Sequence, residues 1–237
     1  MTPSATRQLA RRAARHYRSA GIYMRYHTRG KLAGDPMFRA LLSPGLIPDQ
    51  ARLLDLGCGA GLLVAWLAAA QEALAAGEWP AETPPPRPAS YLGLELMERD
   101  VRLARRVVAA WPGAQVAQDD LRTARLPESD VIFLLDVLHY IEPESQDALL
   151  GRVASALAPG GRLILRVGDA GAGRRFRFTM AVDRLVCRWR GLRLPALYGR
   201  PLVEWQNRLV QLGFRVECRA MSEGTPFANV LLIAHRP

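Results

Sequence analysis

Apolar residues recur along the chain with two different periods, and their alternation predicts strands separated by helices. Short apolar runs, typical of buried strands, are found at 53–56, 91–96, 114–117, 130–141 and 162–167, and the strand in the fourth run is expected to end at Asp136. Apolar residues at helical spacing follow several of these runs, as at Leu63, Trp66 and Ala70 after the first. Strands that alternate with helices in this way favour a parallel sheet with right-handed crossovers. The runs 214–219 and 229–234 are predicted to form an antiparallel pair that closes the sheet.

The chain is organised around the stretch 51–63, ARLLDLGCGAGLL, in which an apolar strand runs into glycines and then into a helix. Gly57, Gly59 and Gly61 follow Asp55 at every second position. Such a turn lets the backbone take positive φ and lets a ligand lie against bare main chain at a helix N-terminus. The spacing differs from the G-x-G-x-x-G of dinucleotide sites, and an acid at the strand end suits the ammonium group of S-adenosylmethionine. The alternative is a tight strand-to-helix turn that binds no ligand.

Acidic residues after the next two predicted strands are candidates for holding the rest of this ligand. Glu95 ends the second strand, where a carboxylate can accept hydrogen bonds from both hydroxyls of a ribose; the alternative is a glutamate that caps a helix. Asp119, Asp120 and Leu121 follow the third strand. An acid there would bind the adenine amino group while a neighbouring backbone amide meets a ring nitrogen. We prefer Asp120 to Asp119, and either residue is also common in simple turns.

Length and composition indicate a globular protein with one domain and some additional segments, in preference to two domains. The chain has 237 residues, of which 49% are hydrophobic. Its three cysteines, Cys58, Cys187 and Cys218, are scattered and have no metal-binding spacing, so we expect a reducing compartment and no metal site. No run approaches the roughly 18 apolar residues of a membrane span, and the N-terminus lacks the apolar core of a signal peptide. We therefore expect a cytoplasmic protein without a membrane span.

The formal net charge of +10 is a modest indication of an acidic partner. Of the 32 basic residues only Lys31 is a lysine, and the chain is also rich in alanine, leucine, glycine and proline, which is typical of GC-rich coding sequence. A helix is predicted over 4–20. Its arginines at positions 7, 11, 15 and 18 lie on one stripe, which we interpret as a solvated face; the alternative is a docking site for an acidic protein or an anionic surface.

Three segments outside the strand–helix pattern are assigned by composition. Residues 1–48 are predicted to be an N-terminal helical arm or lid on a domain that spans 49–237. Within the arm, the residues that could line an acceptor pocket are Tyr23, Tyr26, His27 and Lys31; the alternative is a packed arm whose polar tips reach solvent. Residues 77–90 form a proline-rich surface insertion, and 168–200 form a less regular, arginine-rich segment on the acceptor side.

The motifs LLDLGCGAGLL, GLEL, Asp-Asp-Leu, LLDVLHYI and LAPGGRLIL resemble those of class I S-adenosylmethionine-dependent methyltransferases in order and spacing, over roughly residues 50–237. The resemblance implies an α/β fold: a Rossmann-like, doubly wound, seven-stranded sheet that is mostly parallel with one antiparallel strand and helices on both faces. It also implies that S-adenosylmethionine is the cofactor. The residues that it assigns to this cofactor are Asp55, Gly57, Gly59 and Gly61 at the amino-acid end, Glu95 at the ribose, Asp120 or Asp119 with Leu121 at the adenine, and Asp136 near the methyl group.

A narrower resemblance concerns the two ends of the chain. YHTRGKLAGDPMFRALL, RPLVEWQNRLVQLGF and MSEGTPFANVLL resemble methyltransferases of pathways that make aryl polyenes and related fatty-acid-like products. This resemblance implies a phenolic or polyketide-like acceptor, either free or bound to an acidic carrier protein. The proline-rich insertion departs from the family pattern because it lengthens the distance in sequence between Asp55 and Glu95, but it touches no motif residue.

Methyl transfer to a phenol also requires a base, and His139 is our candidate because it follows Asp136 and titrates near neutral pH. The alternative is a structural residue at the start of a helix. Tyr140 and Arg166 complete the predicted acceptor side.

Two other functions are compatible with a methyltransferase-like fold. An RNA methyltransferase would suit the basic charge, but the chain has neither an Asn-Pro-Pro-Tyr type loop nor a Pro-Cys nucleophile after the fourth strand, so nucleic acid has little support as a partner. A non-catalytic partner subunit would have no physical need of the intact glycines and Glu95.

Overall fold

The computed structural model describes residues 2–80, 82–109, 111–189, 196–222 and 224–237. The chain divides into two compact units, Met1–Asp120 and Leu121–Pro237. The strands of the described residues are β1 (Arg52–Leu56), β2 (Ser90–Glu95), β3 (Ala114–Gln118), β4 (Ser129–Leu135), β5 (Leu157–Gly168), β6 (Arg215–Ala220) and β7 (Asn229–His235). These seven strands form one sheet in the order β3-β2-β1-β4-β5-β7-β6.

Helices separate most of the strands. The α-helices of the described residues are α1 (Pro3–Ala13), α2 (Ile22–Gly34), α3 (Pro36–Leu41), α4 (Leu62–Ala75), α5 (Glu98–Val108), α6 (Pro143–Ala156), α7 (Arg174–Trp189) and α8 (Leu202–Gln211). Short 3-10 helices lie at Ala14–Ala20, Leu138–Tyr140 and Ala170–Ala172. Within the described ranges, every helix is too short or too polar to cross a bilayer.

In the first unit, β1 pairs in parallel with β2, and β2 pairs in parallel with β3. Leu54 and Leu56 are completely buried, as expected for a strand that is covered on both faces. The indole N–H of Trp66, also completely buried on α4, donates to the carbonyl of Phe38 on α3 over 2.7 Å. The N-terminal helices are thereby joined to the helix that follows the glycines.

In the second unit, β4 pairs in parallel with β5. Strand β7 is antiparallel to both of its neighbours, β5 and β6. The predicted seven-stranded sheet with one antiparallel strand is therefore confirmed. Ile132 and Phe133 of β4 are completely buried, in agreement with the uninterrupted apolar run of this strand.

Two segments differ from the prediction. The helix predicted over 4–20 ends at Ala13 and continues as a 3-10 helix, in which Tyr17 has φ −102° and ψ 19° and its hydroxyl donates to the carbonyl of Ala60. The prediction that 168–200 is less regular is wrong for α7, a 16-residue helix. The closely spaced arginines of α7 obscure its apolar period, but the run contains neither glycine nor proline. In 77–90, the part that the structure describes forms no regular element before β2 begins at Ser90.

Candidate functional site

The glycine loop, residues 57–61, joins β1 to α4. Gly57, Gly59 and Gly61 have φ of 77°, 54° and 81°, a region that costs other residues about 1 to 2 kcal/mol each. The backbone N–H groups of Gly57 and Cys58 both donate to the carbonyl of Leu94 at 2.8 and 3.1 Å. The loop is therefore tied directly to the end of β2.

The second and third glycines of the loop lie in different surroundings. A Cβ atom added to Gly59 would meet no atom within 4 Å, so this position borders open space. A Cβ on Gly61 would lie 3.2 Å from the Cα of Ala104 on α5 and 3.2 Å from a methyl group of Val64. Gly59 therefore has room beside it for a ligand, whereas Gly61 allows α4 and α5 to pack closely.

Glu95 at the end of β2 is held by the backbone. Its Oε2 accepts from the N–H of Gly59 at 2.9 Å, and its Oε1 accepts from the N–H of Met97 at 2.8 Å. Each carboxylate oxygen has a further lone pair, so Glu95 can still accept two hydroxyl groups. The alternative, that Glu95 caps a helix, has one supporting contact: the hydrogen bond from the N–H of Met97, which is the N-cap residue of α5.

Asp55 lies beneath the loop rather than on its surface, with 3% of the residue exposed. The phenol of Tyr91 donates to its Oδ2 at 2.7 Å. Burial raises the pKa of Asp55 from 3.8 to about 7; the bond from Tyr91 opposes this shift and the negative charge of Glu95 adds to it. A bound cation would relieve the repulsion between the two carboxylates. The site thus fits a ligand that has hydroxyl groups and positive charge, as S-adenosylmethionine does.

Two residues that the sequence analysis did not select are also found at the loop: Tyr17 contacts it, and Cys58 is part of it. The hydroxyl of Tyr17, which is 1% exposed, donates to the carbonyl of Ala60 at 2.9 Å. Burial raises the pKa of the Cys58 thiol, and Asp55 and Glu95 raise it further, so this cysteine stays protonated. Nothing in the sequence pattern links Tyr17 to Ala60 or Tyr91 to Asp55, because both contacts join residues that lie far apart in the chain.

The aspartates after β3 form a turn. The backbone N–H of Asp119 donates to the carbonyl of Glu95 at 3.1 Å, and its Oδ1 accepts from the N–H of Asp120 at 2.8 Å. Asp119 therefore stabilises its own turn, and the assignment of adenine to Asp120 stays our prediction. In the second unit, the side chain of Leu121 is buried and its carbonyl accepts from the guanidinium of Arg152.

In the second unit, Asp136 lies next to Arg166. The sequence analysis assigned Asp136 to the cofactor and Arg166 to the acceptor. Asp136 follows β4 with φ of 57°, a strained conformation that often marks functional positions. Its Oδ1 lies 3.2 Å from the Nε of Arg166, whose side chain is 3% exposed. Arg166 is buried, whereas 35% of the Asp136 side chain is exposed, so solvent screens the attraction between them.

His139 and Tyr140 form a second group in this unit, together with two residues of α7. The Nε2 of His139 lies 3.7 Å from Oδ2 of Asp183, too far for a hydrogen bond, and the side chain of His139 is 14% exposed. Burial lowers the pKa of His139 to about 4, although Asp136 raises it. Burial also raises the pKa of Tyr140, and Cys187 adds to this effect through charge and a hydrogen bond. At neutral pH His139 is therefore uncharged and Tyr140 is protonated.

The acceptor candidates of α2 lie on its exposed side. Tyr23 and Tyr26 are 54% and 67% exposed. Tyr23 stacks on His27 with ring centroids 5.9 Å apart, and the Nζ of Lys31 lies 2.8 Å from Asp35. Their role in an acceptor pocket stays a prediction that this exposure does not support. Among the described residues, no three His, Cys, Asp or Glu side chains lie together as a metal site would require.

A family described as "Methyltransferase domain" matches residues 54–163. No curated protein sequence is significantly similar to the chain.

Several solved structures share the fold. An O-methyltransferase family protein from Burkholderia thailandensis is 18% identical, with a TM-score of 0.65 over 96% of this chain and 63% of that one. An O-methyltransferase family 2 protein from Planctomyces limnophilus, in complex with apigenin, is 17% identical, with a TM-score of 0.62 over 90% and 60%. Magnesium protoporphyrin IX methyltransferase from Synechocystis PCC 6803, with bound SAH, is 20% identical, with a TM-score of 0.61 over 100% of both chains. The chain thus spans about six-tenths of the length of the first two proteins.

Proposed function

We propose that the chain is a class I S-adenosylmethionine-dependent methyltransferase that transfers a methyl group to a small phenolic, aryl or polyketide-like acceptor, free or bound to a carrier protein; the methyltransferase family that matches residues 54–163 supports this. The observation that carries methyl transfer is the glycine loop, where Gly59 borders open space beside a carboxylate, Glu95, that two backbone amides hold in place. S-adenosylmethionine supplies, when bound, a methyl group on a positively charged sulfur.

The residues of the first unit have separate parts in holding this donor. Glu95 accepts the two ribose hydroxyls with its remaining lone pairs. Asp55 provides negative charge for the ammonium group, directly or through water, and the hydrogen bond from Tyr91 fixes the orientation of its carboxylate. Asp120 accepts the adenine amino group. Holding the reactants in line is the main task of such an enzyme, and positioning alone can supply about 7 to 11 kcal/mol.

His139 accepts the proton of the acceptor hydroxyl. Its depressed pKa keeps the imidazole unprotonated at neutral pH, so a lone pair is available. Once protonated, the ring is stabilised by the carboxylates of Asp183, 3.7 Å away, and Asp136. Tyr140 keeps its own proton and packs against the imidazole with ring centroids 4.0 Å apart. The apigenin complex of the Planctomyces limnophilus protein supports a phenolic acceptor, since apigenin carries phenol groups.

RNA is the alternative acceptor, because the chain has a formal net charge of +10. Methyl transfer from labelled S-adenosylmethionine distinguishes these possibilities when a panel of phenols, carrier-bound aryl acids and RNA is offered. We expect a phenolic acceptor to be labelled fastest. Labelling of RNA ahead of every small acceptor would favour the alternative, and a chain that binds the donor but labels nothing would indicate a non-catalytic partner subunit.

Replacing Glu95 is expected to weaken donor binding specifically. Glu95→Gln should reduce affinity by about 1 to 3 kcal/mol, because buried hydroxyls lose a charged acceptor. Glu95→Ala should cost more, since the N–H groups of Gly59 and Met97 also lose their partner. Calorimetry measures both, with the nearby exposed Glu98→Gln as the control. If Glu95→Ala binds the donor as wild type does, Glu95 faces elsewhere.

Donor binding should release a proton near pH 6. Because the pKa of Asp55 is raised from 3.8 to about 7, the neutral carboxyl is favoured and the folded chain loses stability as pH rises through this range. A cationic donor favours the ionised carboxylate, so affinity should rise with pH by at most about tenfold per unit and level off above pH 7. Titrations in buffers of different ionisation enthalpy measure the released proton.

Two variants test the assignment of this proton to Asp55. Asp55→Asn should abolish the proton release. Tyr91→Phe should move the midpoint to higher pH, because the phenol's hydrogen bond lowers the pKa of Asp55. Unchanged proton release in Asp55→Asn would assign the proton to another group.

A further inference from the structure

The basic charge of the chain is concentrated at its N-terminal end. All 22 acidic residues lie at position 35 or later, whereas eight of the 32 basic residues lie within residues 1–34. This segment therefore supplies +8 of the formal net charge of +10, and the remaining 203 residues supply +2. A preference for GC-rich codons explains why arginine replaces lysine, but it does not explain why acidic residues are missing from one segment. Charge asymmetry of this kind indicates an anionic partner.

Helix α2 presents an exposed face that combines apolar and basic side chains. Of its 13 residues, Thr28 and Leu32 are the buried ones. Ile22 and Tyr26, one helical turn apart, are 73% and 67% exposed. Arg25 and Arg29, at the third and seventh positions after Ile22, are also exposed and lie on the same side of the helix. We call these four residues the α2 face.

The preceding helices add exposed charge to the same segment. Arg7 and Arg11 of α1, and Arg15 and Arg18 of the following 3-10 helix, are all exposed, and α1 packs against α2. Arg12 points instead towards the body of the first unit and lies 2.8 Å from Glu78. Arg12 is therefore paired with an acid from outside residues 1–34. The exposed arginines have no acidic residue within this segment to offset their charge.

We propose that the α2 face docks on an anionic lipid bilayer, where Ile22 and Tyr26 insert at the level of the headgroups and Arg25 and Arg29 contact lipid phosphates. Apolar and aromatic side chains flanked by arginine are typical of helices that lie in a membrane interface. Clusters of four to eight basic residues on such helices favour acidic lipids. A nucleic acid would attract the arginines but would leave an exposed isoleucine without a contact, so the apolar half of the face favours the bilayer. This attachment is peripheral and does not depend on which acceptor is methylated.

Vesicle flotation with the full chain tests this proposal. The protein should float with phosphatidylcholine vesicles that contain phosphatidylglycerol and not with phosphatidylcholine alone, and binding should weaken as salt rises. Arg25→Gln/Arg29→Gln should reduce binding by about 10- to 30-fold. Ile22→Ser/Tyr26→Ser should reduce it by about tenfold or more, because the apolar contribution is lost.

Matched controls show whether vesicle binding depends on the α2 face itself or on any exposed arginine or apolar side chain. Arg102→Gln/Arg106→Gln removes two exposed arginines of α5 at the same spacing, and Val203→Ser/Val210→Ser removes two valines of α8 that are each 59% exposed. Both controls should bind vesicles as wild type does, and all variants should retain donor affinity. The proposal is overturned if wild type does not float with anionic vesicles, or if the α2-face variants float as well as wild type does.

Discussion

His139→Ala is expected to lower kcat for a phenolic acceptor by about 10² at neutral pH, the lower end of what a general base contributes, because a base with a pKa of about 4 is weak. The pKa of His139 is about 4, so in wild type the base is available above roughly pH 5 and the acidic limb of the profile should lie below the ordinary histidine value of 6.5. The deficit of the variant should narrow towards pH 10, where a phenol of pKa about 10 ionises without help. Profiles of kcat against pH for both proteins measure this.

His235→Ala at the end of β7 is the matched control, because His235 also has a lowered pKa but was not selected as a site residue. Its profile should equal that of wild type. A second comparison is Tyr140→Phe, which removes a phenol that stays protonated and should therefore leave the shape of the profile unchanged. If His139→Ala has the same profile shape as wild type, His139 is a structural residue at the 3-10 helix after β4 and the acceptor loses its proton to another group.

Gly59→Ala is expected to weaken donor binding by about 1 to 3 kcal/mol or more, because its methyl group would occupy the space that borders the loop. The fold should survive, since no atom lies within 4 Å of the added carbon. Stability should fall by about 1 to 2 kcal/mol because alanine is strained at φ of 54°. Calorimetry and thermal unfolding separate the two effects.

Gly77→Ala is the matched control for this strain. Gly77 has φ of 69° and equally open surroundings, but it follows α4 and lies outside the glycine loop. It should lose similar stability and keep full donor affinity. Gly61→Ala should be less stable than either, because its methyl group would press on Ala104 at 3.2 Å. Equal donor affinity in Gly59→Ala and Gly77→Ala would mean that the donor does not lie over Gly59.

Much of the fold could be predicted because it depends on local patterns. The apolar run before Gly57 predicts β1, and the run before Asp136 predicts β4, since buried parallel strands need continuous apolar residues. The glycine spacing located the loop for the same reason: positive φ at three nearby positions strongly favours residues without a Cβ atom. Where side chains compete with a pattern, prediction failed. The arginines of α7 obscure its apolar period, and the expected N-terminal helix is interrupted at Tyr17, whose hydroxyl donates to the carbonyl of Ala60.

Less of the candidate site could be predicted, because a single sequence does not show which residues far apart in the chain contact each other. The position of Glu95 at the end of a strand is visible in GLEL, but its bond to the N–H of Gly59 depends on how β2 pairs with β1. The bond between Tyr91 and Asp55 and the pair of Asp136 with Arg166 likewise follow from strand register and side-chain length. The ligand roles of these residues stay predictions until binding is measured.

Calorimetric titration of the wild-type chain with S-adenosylmethionine tests the central claim most directly. We predict one binding site per chain, a dissociation constant between about 1 μM and 1 mM, and clear weakening by Glu95→Gln in the same experiment. Absence of saturable binding to the folded wild-type chain would contradict the account.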